Sequence, residues 1–269
     1  MSAPRPVLVG CSHGTADPAG RATIHALLAD VARARPDVDV REAFVDVQEP
    51  RVATVVADAL GDRTVDAPSV VVVPLLLSGG FHVHVDIAQA VGGTRAVAAA
   101  PLGPDPRLVE LLDARLAQAG AVDADAVVLA AAGSSDARSV AQVEEVVRLL
   151  AARRDGPVTV GYGSAAHPRV PDAVAAARAE AARRAAVTGT RWSGRVVIAS
   201  YLLAPGYFHD RLQEAGADLV TAPLGPDPRL ARVVRARYDE ALRGHGVQGE
   251  TPRARVPRAS RVPAPLGGR

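Results

Sequence analysis

An α/β fold is predicted here: two tandem, similar domains, each a small parallel sheet flanked by helices, facing each other across a cleft. Three observations predict it. The nonapeptide Ala100-Pro101-Leu102-Gly103-Pro104-Asp105-Pro106-Arg107-Leu108 returns letter for letter 122 positions later, from Ala222 to Leu230. An identical match with three prolines marks a duplicated unit of one small-domain length. Short apolar runs alternate with helix-like stretches in both halves, which implies a parallel sheet covered on both faces. The run Val70-Val71-Val72-Val73-Pro74-Leu75-Leu76-Leu77 is apolar on both faces, as a central parallel strand requires.

Taken in order, the first half carries strand patterns at 7–11, 38–47, 69–77 and 95–100, with helical patterns at 18–35, 50–61, 84–91 and 105–119. The second half repeats the strands at 126–131, 158–161, 195–203 and 218–222. Its helix at 138–152 places Val140, Val143, Val147 and Leu150 on one face, an amphipathic stripe. Asp105 and Asp227 each precede a proline and an apolar-periodic run, the chemistry of an N-cap with proline at the first helical position. The expected organisation is a first domain over 1–120, a second over 121–243 and a disordered basic tail over 244–269.

Composition narrows the function classes. In 269 residues, 48% apolar, no apolar run approaches the ~20 residues of a membrane span. The start, Met1-Ser2-Ala3-Pro4-Arg5-Pro6, leads into an apolar strand without a signal-peptide pattern. A single cysteine, Cys11, excludes an internal disulfide framework and fits a reducing cytosol, so a cytoplasmic location is expected. Cys11 itself reads as a small buried apolar residue. The basic pI resides in the tail, where Arg253, Arg255, Arg258, Arg261 and Arg269 face only Glu250. The body is slightly acidic and lacks a basic aromatic face, so neither nucleic acid nor membrane is an expected partner.

Laying one half over the other separates scaffold from chemistry. Aligned on glycine, Ser12-His13-Gly14 lies over Ala131-Ala132-Gly133, so His13 faces Ala132. Phe44-Val45-Asp46 lies over Tyr162-Gly163-Ser164, and Gly80-Phe81-His82 over Gly206-Tyr207-Phe208. Glycines, prolines and apolar runs persist, whereas the His13, Asp46, His82 set exists only in the first half. All three fall near carboxyl ends of strands, where open α/β sheets bind ligands. Imidazole with carboxylate suits Fe(II), Co(II), Ni(II) or Zn(II). His84, two residues after His82, joins the set only if the segment is extended. Glu49, opposite His167, reads as a helix start with Pro50; His25 reads as structural, His209 as incidental. Gly133-Ser134-Ser135-Asp136 lacks a phosphate-loop pattern.

A strand running into Ser12-His13-Gly14-Thr15, Phe44-Val45-Asp46 before Pro50, and Gly80-Phe81-His82-Val83-His84-Val85-Asp86-Ile87 together resemble the CbiX/SirB family of class II tetrapyrrole chelatases in its long, fused form. The resemblance covers both halves to about Arg243. It implies that His13 and His82 are catalytic and metal-handling, with Asp46 at a position where glutamate is more usual. It also implies insertion of Fe(II) or Co(II) into sirohydrochlorin for sirohaem or cobalamin synthesis, without a nucleotide or permanently bound cofactor. Gly79, Gly80 and Phe81 are expected at the substrate, with Arg21, Arg51 and Arg211 as candidate partners for its carboxylates. The chain is expected to act as a monomer with an internal pseudo-dimer. Two other classes use the same residues: a metal chaperone or sensor that binds no tetrapyrrole, and a phosphate enzyme with His13 as nucleophile.

Overall fold

The computed structural model describes residues 5–61, 69–80, 83–189 and 191–248. The first half builds a four-stranded sheet from β1 (Val7–Ser12), β2 (Asp39–Phe44), β3 (Val70–Pro74) and β4 (Val97–Ala98), in the order β2-β1-β3-β4 with all pairs parallel. The second half repeats it with β5 (Ala126–Ala131), β6 (Val158–Tyr162), β7 (Val196–Tyr201) and β8 (Leu219–Val220), in the order β6-β5-β7-β8. The central strands β1, β3, β5 and β7 are buried along their whole length, as their unbroken apolar runs demand.

The helices of the first half are α1 (Pro18–Ala34), α2 (Val52–Leu60), α3 (Ala88–Val91), which continues a π-helical turn over Val83–Ile87, and α4 (Pro106–Gln118). Those of the second are α5 (Ala137–Ala151), α6 (Val170–Thr188), α7 (Tyr207–Gln213) and α8 (Pro228–Gln248). Aspartates open them in repeat-related pairs. Asp17 accepts from the Gly20 amide and Asp136 from the Arg138 amide; Asp105 and Asp227 accept from the amides of Arg107 and Arg229. On α5 the buried face is Ser139, Val143, Val146 and Leu150, while Val140 and Val147 pack at its edge, a rotation of the expected stripe.

The last strand of each half is shorter than expected. Instead of 95–100 and 218–222, only two residues pair at each edge. Beyond these pairs the chain keeps only isolated backbone bonds to the neighbouring segment, such as Ala99 and Leu102 to the carbonyls of Val72 and Leu76, and Pro101 and Pro223 have no N–H to continue the ladder. In the second half the Thr221 hydroxyl accepts the Ser200 amide in place of a backbone carbonyl.

Alternating strand residues feed different cores. Val7, Val9 and Cys11 face a private core under α2 and α3, and Val128, Ala130 and Ile198 face one under α6 and α7. Leu8, Val71 and Val73 join Val127, Leu129 and Val197 in a third core shared by both halves. The shared core exists because the closing helices are exchanged: α4 packs on β7 and α5, whereas α8 packs on α1, β3 and β4.

That exchange accounts for the duplicated nonapeptide. The Arg115 guanidinium on α4 donates to the carbonyls of Pro223, Leu224 and Pro226 at 2.9, 2.8 and 3.1 Å. Arg237 on α8 donates to Pro101, Leu102 and Pro104 at 2.8, 3.0 and 3.1 Å. Each copy of the peptide thus presents three carbonyls to one arginine from the opposite half, so both copies meet the same geometric demand. The expected boundary at residue 120 falls between α4 and β5, but the packing crosses it. At the other end α8 continues to Gln248, past Arg243, and residues 249–269 lie outside the described region. No described helix is long and apolar enough to cross a membrane.

Candidate active site

The carboxyl end of β1 delivers His13 to an exposed position at the rim of a cavity between the two halves. The backbone around it is tightly specified. Gly14 has φ +92°, and a side chain there would press on the Asp46 carbonyl, 2.9 Å from the Cβ position. The Asp46 amide donates to the His13 carbonyl at 3.2 Å, which holds the chain after β2 beside the chain after β1. Next comes a γ-turn: Val47 has φ +51° and the Gln48 amide returns to the Asp46 carbonyl. The turn aims the Gln48 side chain at the Thr15 amide, 2.8 Å away. The second half repeats the turn at Ala165, φ +57°. A β-branched residue in this region of φ is rare, and here it borders the cavity.

Asp46 therefore lies next to His13 in the backbone, but its carboxylate is 57% exposed and is not part of the cavity wall. It stands 3.4 Å from the Arg51 guanidinium, which also pairs with Glu49. Its carboxyl is held below the usual carboxylate range, first by the Val47 backbone N–H, then by Arg51 and the nearby His13. Phe81 and His82 lie outside the described residues. His84 falls in the π-helical turn, and its side chain too lies outside them.

Gly79 and Gly80 serve to join the halves. The Gly79 amide donates to Gln142 Oε1 at 2.6 Å, and the Ser78 and Ser139 hydroxyls meet at 2.7 Å. A side chain at Gly80 would press on the Ser134 hydroxyl, 3.0 Å from the Cβ position. Of the three arginines singled out, only Arg21 lines the cavity, its Nε donating to the Thr15 carbonyl. Arg51 is engaged with Asp46 and Glu49, and Arg211 with Glu214.

The cavity measures about 660 Å³, within the ~300–1,000 Å³ of small-molecule sites. The first half supplies the lining's arginine and carboxylate, Arg21 and Glu42, with Ser12, His13, Thr15 and Gln48, beside apolar Ile24, Phe44 and Leu75 to Leu77. The second half supplies a mainly apolar wall, with Ala132, Leu202, Leu203, Ala204, Tyr207 and Phe208. Tyr207 and Phe208 pack edge to face, centroids 5.6 Å apart, and both rings remain partly exposed. His209 also borders the cavity, but its Nε2 donates to the Thr221 carbonyl at 3.1 Å. Cys11 faces the private core on the other side of the sheet, where burial, and then the charge of Asp86, push its thiol up to about 12. It is a packing residue there, as its place in the sequence indicated.

Glu42 is a cavity residue that sequence reasoning missed. It sits on β2 paired with Gly10; the equivalent pair in the second half is Leu129 with Val160. Burial pushes its carboxyl up, partly offset by His25 on α1. The half-against-half comparison could have found it, because a carboxylate in one copy stands where the other has valine. Among the described residues no three His, Cys, Asp or Glu side chains converge as a ready metal cage.

The CbiX family model matches this chain twice, over residues 7–119 and 126–241. No curated protein matches it. Among solved structures, SirB from Bacillus subtilis with Fe3+ superimposes with a TM-score of 0.73 at 20% identity, covering 91% of this chain and 98% of that one. The sirohydrochlorin chelatase SirB from Bacillus subtilis subspecies spizizenii in complex with cobalt gives 0.67 at 18% identity, with coverage of 91% and 98%. CbiX, described as the terminal enzyme for biosynthesis of siroheme in denitrifying bacteria, gives 0.61 at 21% identity, with coverage of 88% and 99%.

Proposed function

The chain belongs to the CbiX family, and from that premise we propose that it is a sirohydrochlorin chelatase. It inserts Fe(II) or Co(II) into the free macrocycle without a nucleotide, acting as a monomer whose halves form an internal pseudo-dimer in the cytoplasm. The observation that carries this reading is the cavity of about 660 Å³ between a mixed wall that brings Arg21, Glu42 and His13 and a mainly apolar wall from the other half. A lone ion needs no such volume, which argues against a metal chaperone or sensor. A large, flat, carboxylate-bearing ring needs both walls.

The chemistry follows from the two sides. A divalent ion must lose part of its water, and two pyrrole N–H protons must leave the ring. His13, at the cavity rim, is one metal ligand, and His82 is assigned as the second. Two or three ligands with open positions hold an ion that must be released, where a closed cage would retain it. Asp46, ionised beside His13, adds negative charge that draws in the cation. Arg21 is placed to hold a substrate carboxylate. The second-half wall shapes the site and displaces water, which strengthens these charges.

Purified protein incubated with sirohydrochlorin and Fe(II) or Co(II), followed by absorbance, tests the reading. Insertion above the spontaneous rate, with no ATP added, is expected. A rate equal to the spontaneous one for both metals refutes it.

A further inference from the structure

Metal insertion poses a conflict that the histidines alone do not resolve. An imidazole nitrogen that donates its lone pair to the metal has none left for a pyrrole proton. A second basic group in the same cavity is required, and the structure contains one that no metal role uses. Glu42 lines the cavity from β2 with its side chain 31% exposed. Its ionic neighbour is an imidazole, His25 Nδ1, 4.0 Å from Oε2, close enough that a small side-chain rotation brings the two into direct hydrogen-bond contact. Leaving a half-buried carboxylate without a close cation is costly, and such a group in a cleft marks a functional site more often than a structural one. The His25 ring is 81% exposed, so this pair runs from the cavity to bulk solvent. Arg21, one turn before His25 on α1, is tied to the Thr15 carbonyl. The equivalent of Glu42 in the second half is Val160, so this carboxylate belongs to the half that also carries His13.

We propose that Glu42 accepts the pyrrole N–H protons during metal insertion and that His25 relays them to solvent. This rests on the chelatase reading above. In each transfer the N–H bond breaks and the nitrogen keeps its electron pair, which then binds the metal. The proton forms an O–H bond on Glu42, passes to His25 to give imidazolium, and leaves to water. Two such transfers balance the entry of one divalent ion, and neither oxidant nor reductant is needed.

Insertion of Co(II) into sirohydrochlorin is followed for the full chain and its variants, with sirohydrochlorin binding measured separately by fluorescence quenching. Glu42→Gln is expected to lower kcat on the order of 10²-fold, the scale of a positioned acid–base group, with KM and binding of sirohydrochlorin unchanged. Glu42→Asp should retain most of the activity. Glu42→Ala should be as slow as Glu42→Gln but should recover with added formate, a rescue that a merely structural role does not give. His25→Ala should slow turnover less than Glu42→Gln, since water also reaches the half-buried carboxylate. A Glu42→Gln enzyme as fast as wild type overturns the assignment alone, as does one whose loss lies wholly in KM. Absence of insertion by the wild-type protein overturns the chelatase reading and this assignment together.

Discussion

Replacing Arg237 or Arg115 with alanine tests whether the duplicated nonapeptide is retained for the helix exchange. Each arginine donates to three carbonyls of the opposite half. At a net ~1 kcal/mol per hydrogen bond, each truncation costs about 3 kcal/mol of stability. Arg237 has a further partner, Asp105 Oδ2 at 3.3 Å, and that carboxylate is only 5% exposed. Arg107 still holds Asp105 after the truncation, so the extra loss is limited to ~1 kcal/mol and Arg237→Ala should approach 4 kcal/mol. Arg115 makes no such ion pair and should stay near 3 kcal/mol. The two arginines share no partner, so their effects should add to within about 0.5 kcal/mol. Urea denaturation of the full chain, followed by circular dichroism, measures all three variants. Losses below about 1 kcal/mol for both single variants would show that the exchanged helices are held by apolar packing alone, and the account of the repeat would fall.

Three further expectations follow. His13→Ala and His82→Ala should each lower insertion by on the order of 10²-fold, and Asp46→Ala by less because its carboxylate acts through His13; exposed His167→Ala should change little, and initial rates by absorbance decide the order. Glu42→Gln should raise stability at neutral pH, because the folded state pushes the carboxyl up and its ionised form therefore opposes folding. That gain should fade as pH falls through the folded pKa and vanish below the ordinary glutamate value of about 4.3, and thermal melts across pH reveal any opposite slope. Gly133→Ala should destabilise by at least ~1–3 kcal/mol, since φ is +94° and the new Cβ would collide with the Ser164 carbonyl; a melt unchanged from wild type would contradict the tight turn after β5.

A substrate cavity with unlike walls also gives the degenerate half a role. Ala132 and Phe208, standing where the first half has His13 and His82, make the second wall more apolar, and its one histidine among the described lining residues, His209, is bonded to the Thr221 carbonyl. One duplicated scaffold thus supplies both the reactive face and the surface that keeps water from it.

Sequence alone determined the features that short-range physics writes into a chain. An unbroken apolar run marked β3 as a central parallel strand, apolar runs marked β1, β5 and β7 as strands, and aspartate before helical periodicity marked the starts of α4 and α8. The repeat showed two like domains and placed His13 and Asp46 at strand ends. Tertiary structure alone decided which sheet each closing helix covers, because the apolar faces of α4 and α8 fit either sheet and only the shared core selects the exchange. It also decided where side chains at strand ends point. Asp46 turns out toward Arg51 through the γ-turn at Val47, while Glu42, hidden among ordinary β2 residues, turns into the cavity. The Gly79 amide, available to a ligand as far as sequence goes, is taken by Gln142 from the other half. Periodicity and caps act over a few residues, whereas the helix exchange and the Gly79–Gln142 bond depend on segments more than sixty positions apart, which no local pattern records.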